Sequence, residues 1–180
     1  MKIEKIKTGY LEENCYILKE KDECLIIDPG SDFFLIDEKI GNCKPKGILI
    51  THNHFDHIGA ADEIVKKYNT NIYDKNNLKE EKIKICSFSF EVIYNPGHSS
   101  DSISFYFKSI NTLFSGDFIF AGSIGRCDLE TGNYSEMILS INKILKIFKN
   151  NKDLKIYPGH GEITTLKREI KTNPYLTNNM

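Results

Sequence analysis

The chain has 180 residues, 40% hydrophobic and 27% charged, which is ordinary globular composition and enough for one domain with a sizeable core. A formal net charge of −1 gives no global electrostatic case for nucleic acid. The N-terminus is too regularly charged for a signal peptide, no apolar run approaches the roughly 20 residues that span a bilayer, and five cysteines form no CxxC pair. Free thiols in a reducing cytosol, and no membrane partner, are the expectations.

Ile3 to Ile6 alternates apolar and charged residues, as a half-buried strand does. Tyr16-Ile17-Leu18 and Cys24-Leu25-Ile26-Ile27 read as a hairpin turning through Lys19 to Glu23. Asp28-Pro29-Gly30 breaks the strand; Asp28 either supports a nearby site or bonds its own backbone in the turn. Ser31 or Asp32 is positioned to cap a helix reaching Ile40, ended by Gly41-Asn42.

The run Gly47-Ile48-Leu49-Ile50 is short enough for a buried strand, and it leads into Thr51-His52-Asn53-His54-Phe55-Asp56-His57. Three of the five histidines and a carboxylate fall within six residues. In extended backbone His52 and His54 point to the same side and can reach one metal. Asp56 and His57 can turn toward a second. Neutral imidazoles with a carboxylate suit zinc, iron or manganese. Ile58, Ala61, Val65 and Tyr68 then repeat at helical spacing, which puts Asp56 and His57 near a helix N-terminus.

Asn71 to Asp74 reads as a short strand, and Asp74 to Lys84 as a solvated loop or poor helix. Cys86, Phe88, Phe90 and Val92 share one face of a strand; Ile103, Phe105 and Phe107 share a face of the next. Thr112 to Phe114 is a third strand. Met137, Ile138, Ile141, Leu145 and Phe148 form one helical stripe, with Asn133 and Glu136 resembling a capping box. Lys155-Ile156-Tyr157 is the last strand and Thr165 to Lys171 a final helix. His98, Asp117 and His160 each follow an apolar strand-like run, two of them after Pro-Gly. All five histidines thus sit at strand ends. The pattern fits an α/β (α+β) chain, residues 1–180 as a single domain, with two mixed sheets face to face and helices outside.

The stretches Asn14-Cys15-Tyr16, Ile27-Asp28-Pro29-Gly30, THNHFDHIGA from Thr51, PGHSSDS from Pro96, SGDFIF from Ser115, GRCD from Gly125, PGHG from Pro158 and TNPYL from Thr172 resemble a metallo-β-lactamase-fold protein. The branch they are most similar to is glyoxalase II-like, that is, hydroxyacylglutathione hydrolase-like. The resemblance implies a four-layer αββα sandwich with two divalent metal ions at one edge between the sheets, zinc first, with iron or manganese as alternatives. It implies His52, His54 and His98 on one metal, Asp56, His57 and His160 on the other, and Asp117 bridging. It further implies hydrolysis of a small thioester or ester by a hydroxide held between the metals, with Asp56 orienting it. Asp117 stands where zinc β-lactamases commonly carry Cys or Ser, which argues against that activity. Arg126 falls where the family places a glutathione-binding lysine, so it is the candidate substrate contact; Asp128 replaces a tyrosine and offers Arg126 a salt bridge instead. The rival within the resemblance is a mononuclear iron persulfide dioxygenase using His52, His98 and Asp117, and a further alternative is a non-catalytic metal-binding protein. The implied localisation is cytoplasmic.

Overall fold

The computed structural model describes residues 1–177. Strand β1 (Lys2–Thr8) pairs antiparallel with β2 (Glu13–Glu20), which turns at Lys21 into β3 (Glu23–Ile27). The chain leaves through α1 (Phe33–Ile40) and returns as β4 (Lys44–Leu49), parallel to β3. Two short helices follow, α2 (Phe55–Ile58) and α3 (Ala61–Tyr68), then β5 (Ile72–Tyr73) beside β4. These strands make one sheet in the order β1-β2-β3-β4-β5.

The second half opens with an antiparallel meander: β6 (Lys82–Ile85), β7 (Phe88–Tyr94), β8 (Ile103–Phe107) and β9 (Thr112–Gly116). A small ribbon comes next, β10 (Ile119–Phe120) with β11 (Ser123–Ile124). Helix α4 (Tyr134–Ile147) then carries the chain to β12 (Lys155–Pro158), parallel to β9, and to β13 (Thr164–Thr165). Helices α5 (Leu166–Thr172) and α6 (Pro174–Thr177) end the described chain. The second sheet has the order β13-β12-β9-β8-β7-β6.

Period-2 alternation sorts the side chains into layers. Leu18, Leu25 and Leu49 from the first sheet meet Phe88, Phe90, Phe105, Phe107 and Phe114 from the second, in the layer between the sheets. Their neighbours Ile17, Ile26 and Ile48 point the other way, onto Ile36, Ile40 and Ile64 of α1 and α3. On the far side Leu113 and Ile156 pack against Met137, Ile141 and Ile144 of α4. The result is helix, sheet, sheet, helix. Each fully buried Phe or Leu is worth about 1.5–3 kcal/mol relative to exposure, so these faces hold the sheets in fixed relation.

Asn133 caps α4 by accepting a hydrogen bond from the Glu136 backbone N–H, while its own N–H donates to the Gly97 carbonyl. Three local expectations are corrected. Asp32 stands at the start of α1 in left-handed backbone (φ 59°) and makes no side-chain cap; its carboxylate accepts from the Gly9 N–H at 2.7 Å instead. The charged segment from Asp74 is not loop throughout: Lys82–Ile85 is edge strand β6. Cys86 does not share the Phe88 face, because it is exposed in the β6–β7 turn at φ 49°.

The strand directions build the site. β7 and β9 both run antiparallel to β8, and β12 runs parallel to β9. Their C-terminal ends therefore share one edge of the second sheet, and His98, Asp117 and His160 follow those ends. Across the gap, the Tyr16 hydroxyl and Asn14 amide donate to the Pro158 carbonyl at 2.7 and 3.0 Å, and the Ile103 N–H donates to the Thr51 carbonyl at 2.8 Å. These bonds tie the sheets together beside the histidines.

Candidate metal centre

The structure brings all seven predicted side chains together. His52 Nε2 and His98 Nε2 stand 3.0 and 2.9 Å from His54 Nδ1. His160 Nε2 is 3.2 Å from Asp56 Oδ2, and His57 Nε2 is 3.8 Å from the same oxygen. Asp117 lies between the groups: Oδ2 is 3.6 Å from His98 Nε2 and 3.7 Å from His160 Nε2, and Oδ1 is 3.3 Å from His57 Nε2. In each group of three, one donor atom per residue lies within 4.8 Å of the others.

Most of the rings have the second nitrogen spoken for. His57 Nδ1 donates to Asp28 Oδ2 at 3.1 Å, His98 Nδ1 to the Arg126 carbonyl at 2.7 Å, and His160 Nδ1 to the Leu11 carbonyl at 3.2 Å. Such partners fix the tautomer and leave Nε2 as a lone pair aimed inward. Asp28 is the support residue, not a turn that bonds itself: its oxygens also accept from the Thr51 N–H and hydroxyl, both at 2.7 Å.

Lone pairs converging at about 3 Å repel unless a cation lies among them. Among the buried side-chain atoms without a hydrogen-bond partner are His57 Nε2 and Asp117 Oδ1, which face each other at 3.3 Å. Buried polar atoms without partners are rare and costly. A dinuclear site of nitrogen and carboxylate donors accounts for both.

Electrostatics divide the groups. Burial, then the neighbouring imidazoles, holds His52 well below the usual histidine range, and burial and His98 lower His54. Burial opposes charge on His57 as well, but the Asp28 and Asp117 carboxylates outweigh it and raise its pKa. For His160, burial is likewise outweighed, by Asp56 and Asp117. Burial pushes the carboxyl of Glu13, which lies 3.8 Å from His57 Nδ1, well above the carboxylate range.

Gly159 is required by close approach. A Cβ there would lie 2.3 Å from Asp117 Oδ1 and 2.6 Å from the His57 ring.

His54, Asp56, His98, Asp117 and His160 floor an open cleft of about 580 Å³ walled by Leu11, Phe55, Arg126, Leu129 and Glu130. Arg126 is at the cleft, as expected, with its guanidinium paired to Asp128 through two 2.7 Å bonds. Sequence reasoning missed the buried bracket behind the cleft. Glu169 accepts from the Gly122 N–H at 2.7 Å, and the Asn173 amide donates to Glu169 and to the Ser123 carbonyl. That bracket pins the β10–β11 ribbon between Asp117 and Arg126. The Asn-Pro-Tyr-Leu string was its one signal.

A sequence model of the metallo-β-lactamase superfamily matches residues 8–83 and 80–160. The chain belongs to the metallo-β-lactamase superfamily. It is 32% identical to the probable metallo-hydrolase YqgX of Bacillus subtilis and 30% identical to the Haemophilus influenzae protein named hydroxyacylglutathione hydrolase GloC, over 98% of this chain and 98% of each relative. Among solved structures, BLEG-1, described as a B3 metallo-β-lactamase, superposes with a TM-score of 0.92 at 31% identity, covering 98% of this chain and 100% of its own. TTHA1623 in a di-iron-bound form superposes at 0.85 with 29% identity, covering 96% and 99%. The two mixed sheets with flanking helices are the metallo-β-lactamase fold, and the histidine–aspartate cluster sits where its strands converge. No helix among the described residues is long and apolar enough to cross a membrane.

Proposed function

We propose that this metallo-β-lactamase-superfamily protein is a thioester hydrolase working with two divalent cations. The observation that carries the reading is a carboxylate shared by two donor groups: Asp117 Oδ2 stands 3.6 Å from His98 Nε2 and 3.7 Å from His160 Nε2. His52, His54 and His98 would hold one cation, Asp56, His57 and His160 the other, with Asp117 common to both. Such cations, when bound, supply Lewis acidity toward a carbonyl and lower the pKa of water to about 7. The chain's own part is geometric. Asp28 fixes the His57 ring, the Arg126 and Leu11 carbonyls fix His98 and His160, and Asp56 orients the attacking water with the oxygen His160 leaves free. The open cleft admits an acyl group directly over these side chains. The name of the Haemophilus influenzae relative supports a thioester as the substrate class. The likeness to BLEG-1 favours a second reading, opening of a β-lactam by the same attack on a carbonyl.

The test is metal content of protein purified without added metal, followed by turnover of a thioester panel and a β-lactam. Two metals per chain, thioester turnover, and an Asp56→Asn variant that keeps metal but loses about 10²-fold or more in kcat would support the reading. One iron per chain, with oxygen uptake on a persulfide and no thioester turnover, would replace it with the mononuclear dioxygenase. Turnover of the β-lactam alone would install the second reading.

A further inference from the structure

We infer that the substrate is a neutral thioester bearing a bulky apolar acyl group, and not a glutathione conjugate. This deepens the thioesterase reading and rests on it. In the reaction the carbonyl carbon gains a C–O bond from water, the C–S bond breaks, and the thiol leaves with a proton.

The first observation is an uncovered apolar ledge. Tyr10, Phe55 and Leu11 are 83%, 62% and 43% exposed, and the Tyr10 and Phe55 rings stack at 6.4 Å with their planes 21° apart. Large apolar groups left in water beside a cleft mark a binding surface. The ledge is attached to the metal centre on both sides. Phe55 lies in the chain between His54 and Asp56, and the Leu11 carbonyl accepts from His160 Nδ1. Any group seated on the ledge is therefore held at a fixed distance from the reacting carbonyl. Leu129 in the cleft wall adds a further apolar surface.

The second observation is charge. Arg126 is the one lysine or arginine lining the cleft among the described residues. Asp128 takes two of its five N–H donors, Nε to Oδ1 and Nη2 to Oδ2, each at 2.7 Å. Glu130 stands in the same wall. Arg126, Asp128 and Glu130 together carry a formal charge of +1 − 1 − 1 = −1. An exposed pair is weak in itself, so the wall disfavours an anion by this net sign, while the two divalent cations of the proposed centre would act at the floor, on the reacting carbonyl. Lys7, three residues before Tyr10 in the chain, is likewise paired, with Glu12 at 2.6 Å. The two carboxylates of a glutathione thiol, which lie away from the reacting carbonyl, find no lysine or arginine in this wall without an acidic partner, whereas an uncharged thiol meets no repulsion.

The experiment crosses two acyl groups, acetyl and phenylacetyl, with two thiols, glutathione and uncharged N-acetylcysteamine, and reads kcat/KM for all four thioesters on metal-loaded protein. Binding of the non-hydrolysable ketone analogue of phenylacetyl-N-acetylcysteamine is measured in parallel by calorimetry. The expected result is a preference of about ten-fold or more for phenylacetyl over acetyl, and no advantage for glutathione. In a Tyr10→Ala/Phe55→Ala double variant the phenylacetyl-to-acetyl ratio falls toward one and analogue binding weakens in step. Asp128→Ala, a change at a fully exposed side chain, frees Arg126 and raises the glutathione-to-N-acetylcysteamine ratio several-fold. A wild-type preference for acetylglutathione, or a double variant whose acyl ratio is unchanged, overturns the inference while leaving the thioesterase reading intact. Analogue binding that depends on Tyr10 and Phe55, with none of the four thioesters turned over, overturns the thioesterase reading and, with it, the assignment of a thioester to the ledge.

Discussion

Asp28 receives three donors on two oxygens, from the Thr51 N–H, the Thr51 hydroxyl and the His57 Nδ1–H. A carboxylate accepts all three; an amide of the same shape has one accepting oxygen and must turn an NH₂ toward a donor. Asp28→Asn therefore loosens the His57 ring without emptying the core. Losing such a support costs about 10–100-fold in metal affinity or activity, so metal titration of the variant should show one weakened site and a matching fall in kcat. Equal affinity at both sites would show that Asp28 does not position His57. The seven inward-facing side chains were legible from sequence because few residue types bind metals and four of them fall within six positions. Of their holders only Asp28, 29 residues from His57, was legible, as one of two alternatives; the acceptors for His98 and His160 are backbone carbonyls 28 and 149 residues away. A carbonyl carries no signature in a sequence, and only the folded sheets decide which one faces an imidazole.

Strands with period-2 apolar faces were read correctly, because Phe88, Phe90, Phe105 and Phe107 must all turn to the same layer. Strand β6 escaped for the same physical reason that suits it to its place. Lys82 and Lys84 are exposed while Ile83 and Ile85 pack inward, and charge on an edge strand deters pairing with another chain. Read along the sequence, those lysines merge with the charged run before them. Between α1 and α3 the contact is apolar at its base and polar at its rim. Asp37 there accepts from Lys67 at 2.6 Å and from the Tyr68 hydroxyl at 2.7 Å. The Lys67 and Tyr68 hydrogen bonds outweigh burial and hold the Asp37 carboxyl below its ordinary 3.8. A depressed carboxyl contributes stability that is present above its unfolded pKa and lost as pH falls through its folded one. Urea unfolding of Asp37→Asn against wild type should show a deficit of about 1 kcal/mol, constant from neutral pH down to about pH 4 and closing below it. A deficit that persisted undiminished at lower pH would assign the effect to packing instead.

At the scale of the molecule, the two sheets are held by three apolar clusters that contain none of the seven inward-facing site residues. Between-sheet bonds such as Tyr16 to Pro158 and Ile103 to Thr51 likewise involve none of the seven side chains. The fold is therefore expected to stand without the centre, unlike a small zinc finger, because the centre sits on an edge built from other residues. What a cation adds is relief of converging lone pairs and of the partnerless His57 Nε2 and Asp117 Oδ1. Binding to the native state alone stabilises by RT ln(1 + [L]/Kd), about 4 kcal/mol at a thousand-fold excess over Kd. For a chain of this length each kcal/mol is worth roughly 2–4 °C in Tm. Chelation followed by dialysis should therefore leave the far-ultraviolet circular dichroism unchanged and lower Tm by about 10 °C, and stoichiometric metal should restore it. Loss of secondary structure on chelation would show that the sheets need the metal to close. An unchanged Tm after complete metal removal would show that the converging imidazoles are stable as they stand, and would remove the physical ground for a metal centre.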